Sequence, residues 1–367
     1  MHIDMHYYGT YCMARVAGLK KEICQTIASA AQFVDDNDHN HNIEFKDGRR
    51  LNIVPTARSL YNIRNISLFE EEHKKVWLPF HFLPGDKGRT VSERLICRKD
   101  SKISQDMINH CLSEVDKPFG LYLFGIATHV YADTFAHYGF SGVGSRWNRV
   151  DGSSIIIKSH DRDTEAERRF EEKYGETMKG VRNWRQRALD EIKSEAAEDL
   201  TGALGHGGAL KYPDFPYLKW EFNYEYSEND IRNSPRDNLK TFHEACEKLH
   251  NLFSKLEKYK DSSFNPIEFS KIKDVVKDIL AFEETDRDKR SSLWQEYAEN
   301  GNLFNSQEKI LPYLGDLWER NLNELKDETI DIEDAKEEPE IKFLLASKIY
   351  RMYVIYDLLA SYGLFLD

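Results

Sequence analysis

Between residues 19 and 35 the apolar positions Ile23, Ile27, Ala30 and Val34 recur at three- and four-residue steps. That period predicts an amphipathic helix, ending at the doublet Asp35-Asp36. The next stretch, DNDHNHNIEFKDGRRLNIV, is polar and rich in turn formers, and its two short runs around Asp47-Gly48 predict a hairpin with an Asp-Gly turn. This is expected to be the only sheet. A second helical stretch, 57–77, is expected to stop at Pro79 and deliver His81 inside WLPFHFLPG. A third, 101–114, precedes Pro118, which suits the first turn of a fourth helix, FGLYLFGIATHVYADTFAHYGF, over 119–140. Residues 164–201 are highly charged, with Glu, Lys and Arg at helical spacing, and predict long exposed helices. Glycine and proline interrupt the pattern at 204–220, and 238–259, 266–282, 291–299, 306–325 and 341–366 again read as helices. The fold class expected is mainly α: a multi-helical bundle around a His/Asp metal site, with at most one small β-hairpin.

Composition narrows this picture. A chain of 367 residues with 40% hydrophobic and 12% aromatic content is a folded globular protein, with room for one large or two intimate domains. The division expected is a metal-binding core, 1–230, with a C-terminal helical region, 231–367, packed on it across a soft boundary. No run of about 18 apolar residues occurs, and the start MHIDMHYYGT lacks the features of a signal peptide, so a cytoplasmic location is expected. Cys12, Cys24, Cys97, Cys111 and Cys246 form no CxxC pair, which argues for buried reduced thiols rather than disulfides or a thiolate zinc site. A formal net charge of -12 disfavours an extended nucleic-acid surface. The acidic run ETIDIEDAKEEPE, 328–340, reads as a solvated surface segment.

The chemistry lies in histidines and aspartates. In THVYADTFAHYG, His129, Asp133 and His137 stand at i, i+4 and i+8, one stripe of a helix. Two imidazoles flanking a carboxylate suit a divalent ion, with buried hydrogen-bonding partners as the bland alternative. His2, Asp4 and His6 alternate, so an extended segment would point all three to one side. Asp35 and Asp36 close a buried-looking helix, where adjacent carboxylates cost stability unless capped or coordinated. His81, between Phe80 and Phe82, is a ligand or a satisfied core histidine; His206, in GHGG, is a ligand or a helix cap. The ligand set expected is Asp4, His6, Asp35, Asp36, His81, His129, Asp133, His137 and His206, with Asp35, Asp36 and Asp133 in catalytic roles. The doublet His160-Asp161, a hallmark of HD-domain phosphohydrolases, opens a charged run and reads as solvated or N-capping. Aromatic residues at 213–226 read as core packing, with a cleft wall as the alternative. No GxGxxG, GxxxxGK[ST], GxSxG or HExxH motif occurs.

Over MHIDMHYYGTYCMARVAG, AQFVDD, WLPFHFLPG, THVYADTFAHYGFSG and GHGGALKYPDFPYLKWEF the chain resembles a bacterial family of unassigned function. The set of an early histidine, an aspartate, a middle histidine and a helical HxxxD…H is also similar to the zinc-dependent phospholipase C and single-strand nuclease superfamily. That resemblance implies an all-helical fold, three zinc ions and phosphoester hydrolysis by a metal-activated water. It gives His6 the early histidine, Asp35 or Asp36 the bridging carboxylate, His81 the middle histidine, His129 with Asp133 the helical pair, and His137 and His206 the later ones. Three features depart from the pattern. The superfamily ligates zinc through a mature N-terminal residue, usually Trp, where this sequence starts with Met1. The gap from Asp133 to His137 is short, and the later acidic ligand is missing four residues after His206, leaving Asp214 as the neighbour.

The function expected is therefore a metal-dependent hydrolase of small or short phosphoesters. Its cofactors would be two or three divalent ions, zinc first, with manganese or iron as alternatives. The competing expectation is a non-catalytic binding or regulatory subunit with a structural metal, part of a multi-protein defence or toxin system. A homo-oligomer or a protein partner fits either role.

Overall fold

The segment GLYLFGIATHVYADTFAH carries apolar residues on every side, and a helix of that kind must be enclosed by others. The computed structural model describes residues 1–57, 73–158, 204–225, 235–326 and 328–366, and in it this helix is central. The helices are α1 (Thr10–Val16, entered through a wide π-helical turn, Asp4–Gly9), α2 (Lys21–Asp36), α3 (Lys102–Ser113), α4 (Gly120–His137), α5 (Asn238–Phe253), α6 (Phe269–Leu280), α7 (Arg287–Glu299), α8 (Gly315–Glu324) and α9 (Pro339–Met352). Helices α2, α3, α5 and α9 pack on α4, and every residue of α4 from Leu123 to its end is buried. One apolar cluster runs from Met1 to Leu364, so residues on both sides of position 230 share it. Start signals are local: the Ser101 side chain accepts from the Ser104 amide at α3, and Asp237 from Lys240 at α5.

Several expected boundaries shift for identifiable reasons. Pro79 does not stop a helix: the π-helical turn His73–Trp77 continues into Leu78–Phe80 with Pro79 in its first turn, where a missing N–H costs little, and the helix ends at His81. The stretch expected over 306–325 becomes helical only at Gly315, past Pro312. The last helix widens into a π-helical segment, Tyr353–Leu358. Residues 58–72, the charged stretch 164–201 and His160-Asp161 lie outside the described residues. The acidic run is exposed at six of its thirteen residues, while Ala335 and Glu340 within it are buried.

The Asp-Gly hairpin is present. β1 (Asn42–Glu44) and β2 (Arg50–Asn52) pair antiparallel with Ile43 opposite Leu51. Gly48 takes φ +85°, the left-handed conformation that an Asp-Gly turn supplies. The expectation of a single hairpin is corrected by a second sheet in the order β3 (Val150–Lys158), β4 (Lys219–Tyr224), β5 (Arg236–Asp237). In β4 Trp220, Phe222 and Tyr224 alternate inward, the two-residue period of a half-buried strand. These aromatics form a smaller core with Phe82, Phe140 and Tyr212, which bears out packing over a cleft wall. Among the described residues no helix is long and apolar enough to cross a membrane. The five cysteines are all buried, and none is bonded to another.

The contact of α2 with α4 depends on Gly125. A Cβ there would stand 2.6 Å from both the Ala30 Cβ and the Ile27 carbonyl oxygen, so the backbones approach only because no side chain intervenes. Gly125→Ala is expected to destabilise the fold by about 1–3 kcal/mol through overpacking, against the higher helix propensity of alanine. Urea denaturation measures this, and an unchanged or raised midpoint would refute the close-approach account.

Candidate metal centre

Helical spacing places His129, Asp133 and His137 one turn apart, so their side chains converge without any loop to position them. Asp133 Oδ2 lies 3.2 Å from His129 Nε2 and 3.4 Å from His137 Nδ1. Three other segments close around it. The π-helical N-terminal turn brings His6 Nε2 to 3.2 Å from Asp133 Oδ1, and the end of the turn Leu78–Phe80 brings His81 Nδ1 to 3.5 Å from Oδ2. The Met1 amine donates to Oδ1 at 2.8 Å. Asp35, in the last turn of α2, faces His6, His81 and His129 at 3.8–3.9 Å.

A second focus adjoins the first. Asp214 Oδ1 lies 3.0 Å from His137 Nε2 and 3.2 Å from the Met1 amine, and Oδ2 lies 3.6 Å from His206 Nε2. The turn Tyr212–Asp214 is held by Asn238, at the start of α5, whose amide nitrogen donates to the Tyr212 and Phe215 carbonyls. Gly205, at φ +53°, lets the Phe82 ring pack under this segment, where a Cβ would sit 2.4 Å from the ring.

Backbone carbonyls decide which ring nitrogen faces inward, since a carbonyl can only accept. His81 Nε2 donates to the Thr56 oxygen, His137 Nδ1 to the His81 oxygen and His206 Nδ1 to the Leu210 oxygen. Each ring then turns its other nitrogen towards a carboxylate, His81 Nδ1 towards Asp133 and Asp35, and the Nε2 atoms of His137 and His206 towards Asp214. Several atoms inside have no hydrogen-bond partner at all: both ring nitrogens of His6, His129 Nδ1 and Asp133 Oδ2. An orphaned buried polar atom costs about 1–3 kcal/mol, whereas a cation between such acceptors satisfies them together. Three groups have ligand atoms within 4.8 Å of one another, close enough for a metal ion: His6, His129 and Asp133; Asp35, His81 and His129; His137, His206 and Asp214. The donor set of imidazole and carboxylate fits zinc and similar divalent ions.

The model of a family of unknown function, DUF6765, matches residues 1–358, a span that holds every residue of this cluster. The chain belongs to DUF6765. No curated protein and no solved structure matches it.

The electrostatics of this DUF6765 chain suit cation binding. Burial drives the His6 ring down to about 3 and the His206 ring down to about 4, which leaves both neutral, the form that ligates. Burial also opposes charge on Asp133 and Asp214, yet the Met1 ammonium and the surrounding histidines outweigh it and hold both carboxyls well below their usual range. The Met1 amine, despite its burial, is pushed up to about 11 by Asp133, Asp214 and Asp35.

Of the residues singled out from sequence, His6, Asp35, His81, His129, Asp133, His137 and His206 converge. Asp4 and Asp36 do not. The alternation of His2, Asp4 and His6 assumed an extended segment, but residues Asp4–Gly9 are helical, and a helix turns i and i+2 to opposite sides. Asp4 is instead clamped by Arg290, whose Nε donates at 2.8 Å and Nη2 at 3.1 Å, and Arg290 Nη2 also meets His2 Nδ1. Asp36 points the other way from Asp35, accepting from Tyr313 and from Gln32. Sequence reasoning left Asp214 outside the ligand set and did not propose the Met1 amine. Asp214 carried a signal of the same kind as His81, a polar residue framed by proline and aromatic side chains in YPDFPY.

Asp4→Asn leaves the buried Arg290 without its counter-charge and is expected to cost about 3–5 kcal/mol of stability. Thermal melts and elemental analysis together check this. Loss of bound metal with no loss of stability would return Asp4 to the ligand set.

Proposed function

We propose that this chain is a metal-dependent hydrolase of phosphoester bonds. The observation that carries the reading is the convergence of imidazoles and enclosed carboxylates beside a cavity of about 190 Å³, with Asp35, His81, His137, His206 and Asp214 on its wall. Bound at these groups, divalent ions, zinc first and manganese or iron as alternatives, would lower the pKa of a water and offset charge developing on a phosphoryl group. His6, His81, His129, Asp133, His137, His206 and Asp214 would hold them.

The remaining chemistry belongs to the chain's own side chains. Asp35 is the half-buried carboxylate of the cluster that also reaches the cavity, which suits it to accept a proton from the attacking water. Trp77 and Phe82 line the same cavity and give it an apolar wall. A cavity of this size takes a phosphoryl group with a small substituent, in keeping with a small or short substrate.

The likeness to the zinc-dependent phospholipase C and single-strand nuclease superfamily supports the same reading. The residues it assigns from His6 to His206 lie together, with Asp35 rather than Asp36 at the bridging place. Asp214 stands beside His206, where the later acidic ligand was missing.

The test is metal content by elemental mass spectrometry on protein purified without chelator or histidine tag, paired with turnover of bis(p-nitrophenyl) phosphate. Two or more divalent ions per chain are expected, lost in a His129→Ala/Asp133→Ala variant. Asp35→Asn is expected to lower kcat by about 10²–10⁴. A folded, metal-free wild type would overturn the proposal.

A further inference from the structure

Resting on the metal-binding reading above, we propose that the centre divides into a sealed cation position, held by His6, His129 and Asp133, and an exchangeable one, held by His137, His206 and Asp214, at which substrate docks. The two groups differ in access. His6, His129 and Asp133 are each 0% exposed, and none of them is among the residues found on the cavity wall. His137, His206 and Asp214 all stand on that wall, and the His206 side chain is 18% exposed.

They differ in geometry as well. At the cavity, the rings of His137 and His206 are each fixed by a backbone carbonyl, at 3.0 Å and 2.7 Å, so both Nε2 atoms face the Asp214 carboxylate, His137 Nε2 in hydrogen-bonding contact at 3.0 Å and His206 Nε2 at 3.6 Å. Three protein ligands with a free side on a cavity is the arrangement that leaves a position for water or substrate. The sealed group has no such side. The His6 and His129 rings stack 3.8 Å apart, and both residues and Asp133 are fully buried. His81 and Asp35 lie between the two groups and share His129 with the sealed one.

The consequence is kinetic. A cation at the cavity can leave through it, whereas one among His6, His129 and Asp133 leaves only when the N-terminal turn or α2 detaches from α4, an opening of the packed core.

Release of zinc to the chromogenic chelator 4-(2-pyridylazo)resorcinol reads this directly. Wild type loaded with zinc is expected to release in two phases, one equivalent leaving faster than the rest by about tenfold or more. His206→Ala and, separately, Asp214→Asn are expected to lose the fast equivalent, keep the slow phase and keep their thermal midpoint. A single phase in wild type, or loss of every ion in both variants while they remain folded, overturns the division and leaves the metal-binding reading standing. A wild type that takes up no zinc overturns both.

Discussion

Everything in the centre depends on the burial of one carboxylate. Asp133 sits on the most enclosed helix of the fold, and an ionised carboxylate in such a place is untenable without compensating charge or hydrogen bonds. Compensation comes from three parts of the chain: the Met1 amine and His6 from the N-terminus, His81 from the turn after Trp77, and His129 and His137 from its own helix. Most of these partners bond weakly or not at all in hydrogen-bond terms. Asp133 Oδ2 has three ring nitrogens within 3.5 Å and a hydrogen bond from none of them. Its other oxygen, Oδ1, accepts from the Met1 ammonium at 2.8 Å.

That demand explains packing that would otherwise look arbitrary. Asp35 reaches the cluster only if α2 lies close along α4, which Gly125 and Ala30 allow by presenting almost no side chain at the crossing. His206 and Asp214 come from irregular backbone that no helix could supply. The small sheet beneath them, with Trp220 and Phe222 facing inward, and the Asn238 amide fix that backbone in place. Precision on the helical side comes from periodicity, and on the loop side from hydrogen bonds to carbonyls.

This difference also governs how much could be read from sequence. The stripe His129, Asp133, His137 was legible because helical period alone sets it, and the Asp-Gly hairpin because its turn chemistry is local. The sheet was not, because β4 pairs with a strand more than sixty residues earlier, and a short apolar run such as IIIK gives no hint of so distant a partner. Asp35 and Asp36 could not be separated by composition; about 100° of helical rotation decides between them, and only the packing of α2 against α4 says which faces in. His2 and Asp4 were misread for a related reason, because the two-residue period holds only in extended backbone. The Met1 amine carries no letter in a sequence at all.

The buried arginines show how the fold keeps this site negative. Arg290 bonds Asp4, Arg15 bonds Glu308 and Asp261, and Arg236, ringed by Tyr138, Phe140 and Trp220, spends its donors on the Ala136 and Tyr138 carbonyls at the end of α4. Each lies near a ligand-bearing segment, yet among the described residues no arginine or lysine pairs with Asp35, Asp133 or Asp214. A guanidinium there would occupy both carboxylate oxygens with a permanent charge and exclude a metal ion. Imidazole does the opposite, because it offers a lone pair when neutral. By bonding its arginines to backbone and to other acids, the chain leaves the three carboxylates to imidazoles and, at Asp133 and Asp214, to the Met1 ammonium.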